Sequence, residues 1–449
     1  MKSRLKLNLD KYIPPALYKA AIFVEKKLKE HGFEAYLVGG SVRDLLLNKK
    51  ISDIDYTTNA TPSEMKKVFP RLIPVGEKFG TVIVVHNRIP VEITTFRTET
   101  NYTDGRRPEQ INFGKSLEED VTRRDFTING MAYSLIDETL FDYVGGQKDL
   151  QLKIIRTIGD PLVRFTEDGL RPIRGCRIMA NLGFSLADAT FTAMQQTLNT
   201  VSRIAPERFY DEWTKTLYLK QKHLYWEALK KCGIFQLFFT KFSNLINNDE
   251  SWDDLMFSIE HSNPKNMAAY TAHFFYYELH QLGSLLVEEN SRNKSFIKSF
   301  FQQNRFPRKV EELTRNLIFS PLTFLMEKYA SQNTPETEIK LALSKIDENH
   351  WLDHIRFCKE VLFRKLLKTH HEYEYKNIIG SFVKTIRQYY LKNEPIFIRD
   401  LAIKGNDILK AGYSGNHVGH QLSVLQNHVI HNPDLNTKEK LLSLIKQHP

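Results

Sequence analysis

The stretch that most constrains the fold spans residues 36–56 and reads YLVGGSVRDLLLNKKISDIDY. A short apolar run stops at Gly39 and Gly40, and a helical pattern follows. Two glycines let the backbone turn sharply and approach a ligand closely, and the amide groups at a helix start favour an anion such as phosphate. The stretch therefore predicts a strand, a tight turn and a helix around a phosphate site, to which Gly40 and Arg43 would contribute.

Two acids close this stretch in the segment Asp53-Ile54-Asp55. Residues two apart on a strand point to the same face, so we expect both carboxylates on one side of a strand. Mg²⁺ is usually held by one or two carboxylates together with substrate phosphates. Glu92, in a later β-rich run, is a candidate third carboxylate. The turn and the acids together predict metal-assisted phosphoryl or nucleotidyl transfer, with Asp53 and Asp55 as the metal ligands.

Further elements follow the acids. Helical signals predict helices over residues 15–31 and 61–69. Two β-rich runs, 81–86 and 89–97, predict a hairpin. Residues 98–113 are polar, contain the sequence DGRRP and show no periodicity, which predicts a loop.

A Ser-x-x-Glu spacing at Ser116 is typical of a capping box and predicts a helix that includes residues 123–129, RRDFTIN. In that helix Asp125 and Asn129 would share a face, because they are four residues apart. Arg124 is suited to binding a nucleotide phosphate or sugar.

The segments LVGGSVRD, SDIDYTT and RRDFTIN resemble the nucleotidyltransferase signature of class II tRNA CCA-adding enzymes. That family shares its catalytic domain with bacterial poly(A) polymerases. The resemblance implies that Asp53, Asp55 and Glu92 are catalytic, and that Arg124 contacts the incoming nucleotide. It also implies a flexible loop at residues 98–113 that helps the enzyme switch from adding C to adding A.

Strand patterns largely end near residue 150, and helical spacing dominates from about residue 162 onward. We therefore expect an α+β fold: an N-terminal head with a small mixed sheet and helices, followed by an extended all-helical neck, body and tail. The expected domains are the catalytic head at 1–150, a neck with a nucleotide-selecting segment at 151–220, a body at 221–385 and a tail at 386–449. The resemblance implies that the tail binds tRNA.

The nucleotide-selecting segment carries Asp168, Arg171, Arg174 and Arg177 at intervals of three residues. This spacing would align the four side chains along one side of a helix. Arginine forks can donate to cytosine acceptors, and a carboxylate can accept from the exocyclic amine of C or A. Such a row can select a nucleotide without a nucleic-acid template. The resemblance implies the same assignment, with Asp168 and Arg171 as base readers and Arg174 and Arg177 as assisting contacts.

Pro172 interrupts this row. An interior proline removes a helical hydrogen bond, here the one to the carbonyl of Asp168. Either the helix begins near Leu170 with Pro172 in its first turn, or it is kinked there. In the first case Asp168 could cap the helix, and capping would compete with base reading.

Composition agrees with a nucleic-acid partner, because the net charge of +10 and the pI of about 9.2 favour a polyanion. The three cysteines form no metal-binding or CxxC pattern, so we expect reduced thiols and a cytoplasmic protein. The first residues, MKSRLKLNLDKYIPP, have no apolar core suited to a signal peptide, and no later apolar run reaches membrane-spanning length, so we expect a soluble intracellular protein.

The resemblance implies an enzyme that adds and repairs the 3′-terminal CCA of tRNA, using CTP, ATP and Mg²⁺. The alternatives are a poly(A) polymerase with the same head, an enzyme that adds only part of CCA, and a catalytically silent tRNA-binding protein. The loop at residues 98–113 argues against addition of CC alone, and the retained acids Asp53 and Asp55 argue against a silent protein. The sequence leaves the oligomeric state open.

Overall fold

The computed structural model describes residues 2–76, 80–102, 108–114, 116–279, 289–323, 325, 334–347, 349–369, 372–391 and 394–447. The chain divides into two compact units, residues 1–240 and 241–449. The four-domain division expected from the sequence stays a prediction. Cys176, Cys232 and Cys358 are free thiols, as expected.

Twelve strands are described, all of them in the first unit. They are β1 (Lys2–Arg4), β2 (Ala35–Val38), β3 (Asp55–Thr58), β4 (Leu72–Gly76), β5 (Thr81–His86), β6 (Ile89–Thr95), β7 (Arg97–Tyr102), β8 (Pro108–Phe113), β9 (Met131–Ser134), β10 (Thr139–Asp142), β11 (Ile154–Ile155) and β12 (Ser185–Leu186). Eight of them form one mixed sheet in the order β1-β10-β9-β2-β3-β6-β5-β4. Within it β3 and β6 are parallel, and the other neighbours are antiparallel. The predicted mixed sheet of the head is confirmed.

The loop prediction for residues 98–113 is wrong for most of that segment. β7 and β8 pair as an antiparallel ladder that sets Arg97 opposite Phe113 and Tyr102 opposite Pro108. Residues 103–107 lie outside the described residues. The ladder satisfies backbone N–H and C=O groups whatever the side chains are, so a polar sequence without apolar alternation can still form it.

Among the helices of the first unit, α2 (Pro15–Glu30) and α3 (Gly40–Leu46) pack against this sheet, and later ones pack against one another. The helices described in this unit are α1 (Leu9–Tyr12), α2 (Pro15–Glu30), α3 (Gly40–Leu46), α4 (Pro62–Val68), α5 (Leu117–Thr122), α6 (Gly146–Leu152), α7 (Pro161–Glu167), α8 (Leu170–Leu182), α9 (Asp188–Gln196), α10 (Leu198–Val201), α11 (Pro206–Thr216), α12 (Lys222–Lys231) and α13 (Ile234–Phe238). The predicted helix over 15–31 is confirmed as α2, which begins with Pro15 and ends before Gly32 at φ +80°. Its apolar positions, including Leu17, Val24 and Leu28, are buried.

The second unit is helical throughout the part of it that the structure describes. Its helices are α14 (Ser243–Asn247), α15 (Asp249–His261), α16 (Met267–Leu279), α17 (Ser291–Gln303), α18 (Arg308–Ile318), α19 (Glu336–Leu343), α20 (Trp351–Thr369), α21 (Glu372–Leu391), α22 (Gly405–Lys410), α23 (Asn416–His431) and α24 (Lys438–Gln447). Every residue of α16 from Met267 to Tyr277 is buried, so this helix forms the centre of the unit. Among the described residues, no helix is both long enough and apolar enough to cross a membrane.

Candidate active site

The glycine turn connects β2 to α3. β2 ends at Val38, α3 begins at Gly40, and Gly39 between them has φ +73°. Residues with a side chain rarely adopt that φ, so the turn needs glycine at this position. The Ser41 hydroxyl lies 3.2 Å from the backbone carbonyl of Asp53 and donates to it. The predicted strand, turn and helix are therefore present, and a hydrogen bond links them to the first acid.

The acids come together at the start of β3. The register sets Asp55 directly beside Glu92 on the parallel strand β6. Asp53 lies before the strand, which begins only at Asp55, so the prediction that both acids belong to one strand is wrong. Pairing with β6 begins at Asp55, and the Asp53 carbonyl accepts from the Ser41 hydroxyl outside the ladder. All three carboxylates are exposed and accessible to a ligand.

Like charges act on one another at this site. Protein atoms crowd the Asp55 carboxyl although its side chain is exposed, and Glu92 and Asp53 bring negative charge near it, which raises the pKa of Asp55 to about 6. Among the described residues, the Arg124 guanidinium acts in the opposite direction. Carboxylates with so little compensating positive charge fit a divalent cation, which would remove their repulsion.

The described residues hold no ready-made cage of three or more His, Cys, Asp or Glu side chains for a metal ion. One or two carboxylates can nevertheless hold a divalent cation that substrate phosphates complete, and Asp53 and Asp55 offer such a pair. The residues present therefore suit a metal that binds together with a nucleotide.

Arg43 lies against the glycine turn. A Cβ placed on Gly40 would stand 3.4 Å from Arg43 Nη2. The Arg43 side chain is buried and donates through Nε and Nη2 to the two oxygens of Asp44, each at 2.9 Å, and through Nη1 to Asn129 Oδ1 at 2.8 Å. Contacts with the described residues thus use three of its five N–H groups.

The helix that carries the RRD sequence is shorter than expected. Ser116 caps α5 as predicted, but the helix ends at Thr122, so the prediction that it continues through residues 123–129 is wrong. Phe126 is extended and pairs across a bridge with Thr157, which takes the chain out of the helix. Residues 127–129 form a separate 3₁₀ turn.

Arg124 stands beside both the turn and the acids. Its Nη2 donates to Asp120 Oδ2 at 2.9 Å, and its Nη1 lies 3.7 Å from the place of a Cβ on Gly39. Its Nε is buried and has no hydrogen-bond partner in the part of the chain that the structure describes. Arg124 therefore has an unused donor next to Asp55.

In the selecting segment, α8 begins at Leu170 and holds Pro172 in its first turn, where a missing N–H costs little. The first of the two alternatives for Pro172 is confirmed. Asp168 precedes the helix, and its Oδ1 accepts from the Leu170 N–H at 3.0 Å. The prediction that all four polar side chains lie along one helix is therefore wrong for Asp168.

Both base-reading candidates take part in contacts within the protein. Arg208 donates through Nη1 and Nη2 to the two oxygens of Asp168, each at 2.9 Å. Arg171 is buried and donates to Glu167 at 2.7 Å and to the carbonyl of Arg164 at 3.1 Å.

The two assisting arginines are also paired. Arg174 donates through Nε to Asp125 at 3.0 Å, and Arg177 donates to Glu212 at 2.5 Å. Asp125 in turn accepts from Asn129 at 3.2 Å, so contacts run without a break from the RRD sequence to α8. The Arg174 guanidinium, against the effect of burial, lowers the pKa of Asp125.

Sequence reasoning missed Asp120, Arg208 and Glu212. Arg208 and Glu212 lie four residues apart on α11, a spacing that puts two side chains on one helix face and that was available from the sequence. Asp120 stands at the same spacing before Arg124. Their partners became evident only in three dimensions.

Comparison with known proteins connects this geometry to a family. Residues 35–156 match the family described as the poly A polymerase head domain, and residues 183–245 match a probable RNA and SrmB-binding site of polymerase A. The CCA-adding enzyme of Streptococcus mutans is 38% identical over 302 residues, which cover 67% of this chain and 71% of that protein. The CCA-adding enzyme of Staphylococcus saprophyticus is 46% identical over 200 residues, which cover 44% of this chain and 50% of that protein.

A solved structure is similar over nearly the whole chain. The CCA-adding enzyme of Bacillus stearothermophilus in complex with CTP superposes with a TM-score of 0.71 at 26% identity, covering 97% of this chain and 98% of that one. The head domain matched by residues 35–156 defines a nucleotidyltransferase, a class that generally depends on a metal ion.

Within that class, the chain belongs to the family of CCA-adding enzymes. The predicted fold class, enzyme class and template-independent CCA addition are confirmed.

Proposed function

We propose that this chain builds and repairs the 3′-terminal CCA of tRNA from CTP and ATP, with Mg²⁺ as its metal. The observation that carries the proposal is the group of three exposed carboxylates, Asp53, Asp55 and Glu92, next to the unused donor of Arg124. Such a site has places both for a cation and for a triphosphate. The solved relative from Bacillus stearothermophilus binds CTP, which supports the choice of nucleotide.

Asp53 and Asp55 would hold the metal, and Glu92 would add negative charge beside them. When bound, Mg²⁺ would lower the pKa of the attacking 3′-hydroxyl and neutralise charge on the phosphates. Gly40, Arg43 and Arg124 would bind the triphosphate, because contacts with the described residues leave N–H groups of both arginines unused next to the glycine turn.

Asp168 and Arg171 would read the base with the hydrogen-bonding capacity that their internal contacts leave. A carboxylate has about four acceptor positions, and Asp168 uses three of them, two for Arg208 and one for Leu170. The remaining position suits one exocyclic amine proton of C or A. Arg171 uses three of its five donors, so two remain for cytosine acceptors. Arg174 and Arg177 would hold this pair in place through α8.

tRNA would be the partner, because the match at residues 183–245 is to a probable RNA-binding site and the chain carries a net charge of +10. Binding of tRNA by the tail at 386–449 and a cytoplasmic setting remain part of this proposal.

The test is extension of a tRNA that lacks CCA, resolved to single nucleotides, with Mg²⁺ and CTP alone, ATP alone or both. Two additions with CTP, and a third only when ATP is also present, are expected. A long series of added nucleotides with ATP alone would mean a poly(A) polymerase. Addition that stops after CC when both nucleotides are present would mean a partial enzyme.

Two variants locate the activity. Asp53→Ala should abolish transfer while binding of tRNA persists, and Asp10→Ala, which changes an exposed acid on α1, should behave like the wild type. Near-normal turnover by Asp53→Ala would refute the metal site.

A further inference from the structure

Asp120 on α5 is a buried carboxylate with an unusual set of contacts. Its side chain has no solvent exposure. Oδ1 accepts from Arg123 Nε at 3.0 Å and from Arg123 Nη2 at 2.6 Å. Oδ2 accepts from Arg124 Nη2 at 2.9 Å and lies 3.0 Å from the hydroxyl of Thr57. All four acceptor positions of the carboxylate are therefore filled.

The charge of Asp120 is stable at any physiological pH. Burial alone would raise its pKa, but the guanidinium groups of Arg124 and Arg123 and their hydrogen bonds lower it to about 2. An ionised, fully bonded carboxylate in the interior is a firm anchor for an arginine, because releasing the arginine would leave a buried charge unpaired.

The contacts of Asp120 join two parts of the site. Thr57 follows Asp55 by two residues on β3, and Arg124 stands beside Gly39. Asp120 uses only the Nη2 end of Arg124, and the buried Nε of Arg124 keeps no partner among the described residues. A single oxygen, Asp120 Oδ2, thus connects the strand of the acids to the arginine proposed to bind nucleotide.

We propose that Asp120 is a positioning residue for nucleotide binding. It holds Arg124 by Nη2 at a fixed position relative to β3, so that the other Arg124 donors point to the triphosphate. The proposal rests on the proposed function of Arg124. It assigns Asp120 no contact with substrate. Because CTP and ATP share the triphosphate, Asp120 serves both nucleotides equally and takes no part in choosing between them.

Asp120→Asn removes the charge and keeps the shape. The KM values for CTP and ATP should rise together by roughly tenfold, with kcat changed less than about twofold, since a lost ground-state contact that is equally present in the transition state raises KM alone. The preference for C at the first two positions should stay as in the wild type. A fall in kcat with unchanged KM, or a change for one nucleotide only, would overturn the proposal.

A double-mutant cycle shows whether Asp120 acts through Arg124. In an Arg124→Ala background, Asp120→Asn should change either KM by less than about twofold, because the positioned group is already gone. Full additivity of the two effects would mean that Asp120 supports only the fold. If Arg124→Ala by itself leaves KM unchanged, the role of Arg124 in the proposed function fails. If Arg124→Ala raises KM and Asp120→Asn does not, only the positioning role fails.

Asp149 offers a matched control. It is a buried acid of the same unit, bonded to Arg156 and to the hydroxyl of Thr127. Asp149→Asn should lower the melting temperature and leave both KM values unchanged.

If Asp120→Asn does not fold, Thr57→Val takes its place: it removes one contact to Asp120 Oδ2 and keeps both arginine pairs. It should raise both KM values by roughly threefold, and unchanged values would refute the proposal.

Discussion

Replacing Asp55 with asparagine should make the metal-free protein more stable at pH 8 while abolishing nucleotide transfer. The reason is electrostatic. Crowding by protein atoms and the charges of Glu92 and Asp53 raise the pKa of Asp55 from 3.8 to about 6, so the folded protein resists ionisation of this carboxyl. An asparagine side chain carries no charge, so Asp55→Asn removes the cost.

The magnitude follows from that difference in pKa. At 1.36 kcal/mol for each pKa unit, the difference between 3.8 and about 6 would cost about 3 kcal/mol of folding free energy for a carboxyl that water does not reach. Asp55 is exposed, and solvent screening reduces the value to roughly 1 kcal/mol. In a unit of 240 residues, a change of that size moves the melting temperature by about 2–4 °C.

The sign depends on pH in a defined way. Because the folded-state pKa lies above the ordinary one, the cost of ionising Asp55 is absent below about pH 4, grows between pH 4 and 6 and is complete above pH 6. The advantage of Asp55→Asn should follow the same course. Mg²⁺ should stabilise the wild type more than the variant, since it binds the folded site, and should narrow the difference.

The assay is thermal unfolding from pH 4 to pH 8 in the presence of a chelator, repeated with Mg²⁺. Equal melting temperatures at pH 8, or a difference that does not change with pH, would refute the reasoning. Asp137→Asn is a control in which the loss of a carboxylate charge should change the stability in the opposite direction. Asp137 lies 2.6 Å from Lys29, whose hydrogen bond and charge lower the pKa of this carboxyl, so losing its charge should reduce stability slightly above pH 4.

Three further predictions concern the turn and the selecting segment. Gly39→Ala should cost about 1–3 kcal/mol and weaken CTP binding, because φ at this position is +73°; thermal unfolding and CTP titration test it, and an unchanged melting temperature would contradict it. Pro172→Ala should lower stability by less than about 1 kcal/mol, because the proline stands in the first turn of α8; a larger loss in denaturant unfolding would mean that the ring packs in an essential way. Arg171→Ala should reduce discrimination between C and A more than it reduces tRNA binding, measured by single-nucleotide extension and by tRNA titration, and unchanged discrimination would remove Arg171 from base reading.

The sequence by itself determined the local geometry of the site. The turn at Gly39, the start of α2 at Pro15 and the cap of α4 at Thr61 depend on signals within a few residues of the chain. Steric limits on φ and bonds to neighbouring amides act at that range, so a reading of residues in order is enough to predict them. The sequence named Glu92 only as a candidate third carboxylate, because the parallel pairing of β3 with β6 that sets it beside Asp55 joins strands far apart in the chain.

Only the tertiary structure decided the partners of the charged side chains. Arg208 meets Asp168 across 40 positions of the chain, and Arg43 meets Asn129 across 86. The end of α5 at Thr122 was set in the same way, by the bridge between Phe126 and Thr157. A buried charge takes whichever opposite charge the packed elements bring within about 3 Å, and the sequence alone does not show which one that is.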